Sequence, residues 1–180
     1  MSICFHVFLR RDRLPDPRKW ANAILENGFS IALNTAFDPV MHSGYLPCPG
    51  DEGAGFEYYL DSAASSDLVS DESSKRLVRG CDVVATFCFG GRQSDLAAAR
   101  AASATLTRIT GGILLDAESG HFIDADSVLD WAHESNYQPL GELHMPPPIN
   151  QTSTPVKPIR KIWIVSIGLF LGLLIAYLLK

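Results

Sequence analysis

The 180-residue chain has room for one compact domain and a tail. It is 47% hydrophobic and 19% charged, with a formal net charge of −5, so it belongs with foldable proteins and not with disordered ones. Lys157, Arg160, Lys161 and Lys180 lie near the C-terminus, and the rest holds eleven basic against twenty acidic residues, a balance that argues against a nucleic-acid partner.

In chain order, Ile3, Phe5, Val7 and Leu9 alternate with Cys4, His6 and Phe8, the pattern of a strand with one strongly apolar face. A secretory leader would place its charges before a longer apolar run, whereas Arg10-Arg11-Asp12-Arg13 follows a short one, so an ordinary strand is expected here. Asp16-Pro17 reads as a helix start, an N-cap acid before a proline at the first helical position. That helix carries Trp20, Ala23, Ile24 and Asn27 on one face and stops at Gly28. Phe29 to Phe37 reads as a second strand, Tyr45 to Gly55 as a loop, and Phe56 to Leu60 as a short strand. Residues 62–79 are polar, with room for one short helix. Asp82 to Phe89 is a nearly continuous apolar strand, as suits a central position.

Gly90-Gly91 breaks that strand, and Ser94 is expected to cap a long alanine-rich helix ended by Gly111 and Gly112. Ile113 to Leu115 and His121 to Ile123 flank Glu118-Ser119-Gly120 as a hairpin. Asp126 or Ser127 opens a last helix with Val128, Leu129, Trp131 and Ala132. The order β-α-β-β-(insert)-β-α-β-β-α predicts an α+β fold, a ferredoxin-like sandwich of an antiparallel-rich sheet and two main helices.

The division expected is a soluble acidic domain over 1–143, a proline-rich linker over 144–161 and a transmembrane helix over 162–179. Prolines 146, 147, 148, 155 and 158 disfavour helix and strand in the linker. The run from Ile162 to Leu179 is uncharged and, as a helix, spans about 27 Å, close to the roughly 30 Å hydrocarbon core of a bilayer. Trp163 and Tyr177 near its ends suit the headgroup level. Lys157, Arg160 and Lys161 before the span, against Lys180 alone after it, place the domain in the cytoplasm as a tail-anchored, single-pass protein. Gly168, Gly172 and Ala176 share one helix face, a small-residue stripe that would let two such helices pair as a homodimer.

Motifs that would carry chemistry are few. The five histidines lack metal-ligand spacing, and no cofactor or metal is expected. Cys4, Cys48, Cys81 and Cys88 form no CxxC pair, and buried free thiols in a reducing compartment are the expectation. A nucleophile pair of Cys48 with His42 or His121 has no signature behind it. The turn Phe89 to Asp95 could receive an anion through Arg92 and free helix amides, but Asp95 opposes this and a structural turn is the better account. Asp116 to Gly120 fails the calcium-loop spacing.

From Gly111 to Val156 there is no Lys or Arg, while Asp116, Glu118, Asp124, Asp126, Asp130 and Glu134 fall there. Such a surface would attract a basic protein; a merely solubilising face is the plainer alternative. Trp20-Ala-Asn-Ala-Ile-Leu-Glu-Asn-Gly-Phe29, Gly44-Tyr-Leu-Pro47, Gly55-Phe-Glu-Tyr-Tyr59, and Phe89-Gly-Gly-Arg-Gln-Ser-Asp-Leu-Ala-Ala-Ala-Arg100 with Thr110-Gly-Gly112 together resemble small bacterial proteins associated with toxin–immunity systems. The resemblance covers most of residues 1–140. It implies an immunity-type protein that binds and neutralises a toxin, and supplies no catalytic residue. A scaffold component of a membrane complex and a membrane-surface enzyme using the Gly90–Ser94 turn or Cys48 are the other two expectations.

Overall fold

The alternation at the N-terminus folds as strand β1, Ile3–Leu9. The computed structural model describes residues 3–50 and 53–134. Within them β1 lies inside a six-stranded sheet with β2 (Gly44–Pro47), β3 (Gly55–Ser62), β4 (Val83–Phe89), β5 (Ile113–Asp116) and β6 (His121–Asp124). The order is β2-β3-β4-β1-β5-β6, and every pairing is antiparallel. The helices are α1 (Pro17–Glu26), α2 (Glu72–Leu77), α3 (Gln93–Thr110) and α4 (Val128–His133). The protein is therefore α+β with an antiparallel sheet. The expected linker, the span over 162–179 and its stripe of Gly168, Gly172 and Ala176 lie outside the described residues. No helix among the described residues is long and apolar enough to cross a membrane.

Local chemistry explains the helix ends. The Asp16 carboxylate accepts from the amides of Arg18 and Lys19, Pro17 occupies the first turn, and the helix closes at Asn27 before left-handed Gly28. α3 ends on Gly111, at φ +64°. Gly112 is required for a different reason: a Cβ there would stand 2.6 Å from the carbonyl oxygen of Phe8. Gly112 lets the helix end press against β1.

α3 is the centre of the helix layer. Ala98, Ala99, Ala101, Ala102 and Ala104 are all fully buried, because the helix has the sheet on one side and α1 and α4 on others. Small side chains let three neighbours approach a single helix, and burial over most of its circumference leaves only a narrow exposed side at Gln93, Ala97, Arg108 and Ile109. Trp20 of α1 shows how close the approach is: its indole Nε1 donates to the carbonyl of Ala102 at 3.1 Å. The same ring meets Phe37, Tyr58 and Phe87.

The sheet has two unlike faces. Phe5, Val7 and Leu9 of β1 point with Leu114, Phe87 and Phe56 into the core beneath the helices. Phe8, Val84 and Leu115 point the other way, where Val69, Val78 and Cys81 of the β3–β4 connection cover them together with Phe122. Thus the polar insert shields one end of the second face.

Four expectations are corrected. Phe29 to Phe37 is irregular chain and not a strand: Leu33 is buried, and Phe29, Ile31 and Phe37 pack on the core without a strand partner. The expected loop from Tyr45 contains β2, paired from Gly44↔Tyr58 to Pro47↔Gly55. At α3 the first helical residue is Gln93, behind Arg92, so Ser94 lies inside the helix and is not its cap. Cys4 and Cys88 are not free thiols but form a disulfide, because the β1–β4 register sets them directly opposite each other.

Candidate functional site

The carboxylates expected to form one acidic surface meet different fates. Asp116 is buried at 4% exposure, on the helix side of β5. Its oxygens accept from the Glu118 amide at 3.1 Å and the Ser119 hydroxyl at 2.9 Å, closing the β5–β6 turn. Its charge also favours protonated Arg100, whose pKa burial pushes down and Asp116 pulls back up. The Arg100 guanidinium lies 5.1 Å over the Trp131 ring and donates to the Glu134 carbonyl at 3.4 Å, so it ties α3 to α4. Asp116 therefore serves the interior.

Asp124 works locally as well. It accepts from the amides of Asp126 and Ser127 and from the Ser127 hydroxyl, at 3.0, 2.8 and 2.7 Å. Those bonds, the Ser127 hydroxyl first, hold its carboxyl below the usual range. Asp126 pairs with Arg108 at 2.7 Å, with its own side chain almost fully in solvent. Glu118, Asp130 and Glu134 are exposed, and no side-chain bond engages their carboxylates among the described residues. The structure brings Asp124, Asp126, Asp130 and Glu134 onto one β6–α4 segment, with Glu118 at the preceding turn.

At the β4–α3 junction, Asp95 is buried and takes three donors: Arg92 Nε at 2.9 Å, Arg92 Nη2 at 2.8 Å and the Gly55 amide at 3.2 Å. Arg92 Nη2 also donates to the Gly53 carbonyl. The pair fastens the β2–β3 loop to the start of α3, which is the structural turn the sequence favoured over an anion site.

The nucleophile pairings fare differently. Cys48 is buried just after β2, whereas His121 is exposed at the start of β6 on the opposite sheet edge. Five strand spacings separate those edges, roughly 24 Å, so the two cannot act together. His42 packs against Phe37 and Tyr58, with ring centroids 5.4 and 6.3 Å away. Among the described residues no group of three or more His, Cys, Asp or Glu could hold a metal ion.

The feature missed from sequence is a set of cross-strand rows on the second sheet face. One runs Tyr45–Glu57–Cys88–Cys4 and the next Tyr59–Thr86–His6–Leu115. His6 is 8% exposed and its Nδ1 lies 3.0 Å from the Thr86 hydroxyl; burial pushes its pKa down. A cavity of about 330 Å³, lined in part by Tyr45, Glu57, Cys88 and Phe89, adjoins the disulfide. A second, of about 440 Å³, opens between residues 28–31, α3 and the end of α4, where His133 stacks on Phe29. The alternation in β1 did announce two faces. What it could not announce was which residue of β4 stands beside which residue of β1.

Comparison of the chain with protein-family models, with curated proteins and with solved structures finds no match.

Proposed function

We propose that the chain is a membrane-tethered binding protein whose domain faces the cytoplasm and captures a basic protein, in the manner of an immunity protein that neutralises a toxin. The observation that carries this reading is the Lys/Arg-free stretch from Gly111, whose β6–α4 part exposes Asp130 and Glu134 with no side-chain bond to their carboxylates among the described residues, along with Asp124, which closes its own turn, and Asp126, which is paired with Arg108; Glu118 is exposed at the preceding turn. Like charges gathered on one segment raise the encounter rate of an oppositely charged partner, which suits a protein that must act before damage occurs. Asp116 is left out of that surface because its carboxylate closes the hairpin. The tether is the uncharged run over 162–179, and Gly168, Gly172 and Ala176 are the face on which two copies would pair.

The finer fold label belongs to the same proposal. The strand order β3-β4-β1-β5, with α1 and α3 as the two main helices, supports a ferredoxin-like sandwich to which β2 and β6 add one strand at each edge.

The test is capture of the protein encoded next to this one by the full-length chain in detergent. Glu118→Lys, Asp130→Lys and Glu134→Lys together are expected to weaken capture about tenfold or more at low salt, since each reversal removes one attraction and adds one repulsion. Capture unchanged by the triple reversal contradicts the proposed surface. One observation favours the opposite orientation across the membrane: disulfides such as Cys4–Cys88 persist in oxidising compartments. Protease accessibility in intact cells separates the two orientations.

A further inference from the structure

We propose that the Cys4–Cys88 disulfide is a thiol-exchange site, opened by a small external thiol that enters the cavity beside Cys88. The placement of the bond is the first reason. Both cysteines are half-buried on the second sheet face, beyond the end that Val69, Val78 and Cys81 cover, and not in the core beneath the helices. A disulfide that serves only to staple a core has no need of an approach route; this one has a cavity of about 330 Å³ against Cys88.

The second reason is that the two sulfurs have unlike neighbours. Glu57 stands opposite Cys88 in the β3–β4 register, so a negative charge on the Cys88 sulfur is disfavoured. Cys4 has His6 as its next same-face neighbour on β1, and Thr86, bonded to His6, holds the corresponding place next to Cys88. Access therefore directs attack to Cys88, while electrostatics directs the departing charge to Cys4, the better leaving group.

The reaction balances with the entering thiol as the only co-reactant. Its thiolate attacks Cys88 Sγ, a new S–S bond joins the two, and the electron pair of the broken bond leaves on Cys4 Sγ. The proton released by the entering thiol returns through solvent to Cys4. A second thiol attacks the mixed disulfide at the entering sulfur and frees Cys88, which takes that thiol's proton. Two external thiols are thereby oxidised to one disulfide as the protein bond is reduced to two thiols. On the cytoplasmic side the reagent available is a glutathione-like monothiol. The exchange site stands whether or not the domain binds a basic partner.

The experiment treats the full-length protein in detergent with reduced glutathione, quenches with a maleimide and locates adducts by mass spectrometry. Tryptophan fluorescence of the same sample reports unfolding. The expected result is bond opening more than about tenfold faster than global unfolding, with glutathione lodged on Cys88. Glu57→Gln, a change at an exposed side chain, should speed attack by anionic glutathione about threefold while leaving attack by uncharged 2-mercaptoethanol within about twofold, as expected for one charge removed at cross-strand distance in water-like surroundings. Opening only at the unfolding rate, or adducts shared equally between Cys4 and Cys88 in the wild-type chain, overturns the proposal.

Discussion

His6 shows how one residue can be read correctly for its face and still be incomplete. On β1 it lies opposite Thr86 on one side and Leu115 on the other, and burial makes its charged form unfavourable. Its pKa in the folded protein is therefore below that in the unfolded chain. Between the unfolded value near 6.5 and the lower folded value, the unfolded state binds a proton that the folded state does not. Stability is accordingly full above pH 6.5 and falls as the solution is acidified toward the folded pKa, by about 1.4 kcal/mol for each unit the pKa is lowered. Melting temperatures recorded between pH 7.5 and 5 should show this decline. In His6→Gln, which keeps a hydrogen-bonding group near Thr86 without a titrating ring, the part of the slope due to His6 should vanish. A slope identical in the two proteins would remove His6 as its source.

At the scale of elements, α3 governs what the rest can do. Its run of alanines has a weak amphipathic signal, yet it is the most enclosed of the described helices, because enclosure on several sides calls for small residues and not for one apolar stripe. Ala102 is where this is tightest, since its carbonyl receives the Trp20 indole and its side chain is fully buried. Ala102→Leu is expected to cost about 1–3 kcal/mol by forcing α1 away, whereas Ala97→Leu on the exposed side should stay within about 0.5 kcal/mol of wild type. Denaturant midpoints followed by tryptophan fluorescence measure both. Equal effects at the two positions would mean that α3 is not enclosed as described.

Elements whose signals are local were legible in the sequence. Asp16-Pro17 announced α1 through capping chemistry, Gly111-Gly112 announced the end of α3, and Glu118-Ser119-Gly120 announced the β5–β6 turn. The misreadings occurred where the deciding partner is remote. Phe29 to Phe37 carries apolar residues spaced as in a strand, but the spacing serves only to lay an irregular segment over the core. Gly44 and Pro47 look like loop residues, and β2 exists because the edge of β3 is available to it. The disulfide depends on register between strands 84 residues apart, which no local pattern encodes. Among the acids, Asp116 turned inward because the hairpin needed an acceptor for Glu118 and Ser119.

At the scale of the whole molecule, the proposed acidic binding domain would be tethered to a membrane by the uncharged run over 162–179 and oriented by the charges that flank that run. The positively charged flank before residue 162 and the disulfide in the sheet pull toward opposite sides of that membrane, and a single determination of sidedness resolves them. If the domain faces the cytoplasm, the Cys4–Cys88 bond meets reducing thiols and its exchange has a reagent; if it faces outward, the bond is a lasting fastening of β1 to β4. The most direct measurement is protease treatment of intact cells and of opened membranes, combined with an alkaline carbonate wash. The full-length chain is predicted to stay with the membrane through the wash, to survive protease added outside intact cells, and to lose its N-terminal domain once the membranes are opened. Recovery of the chain in the soluble fraction, or cleavage of the domain from outside intact cells, would contradict the account.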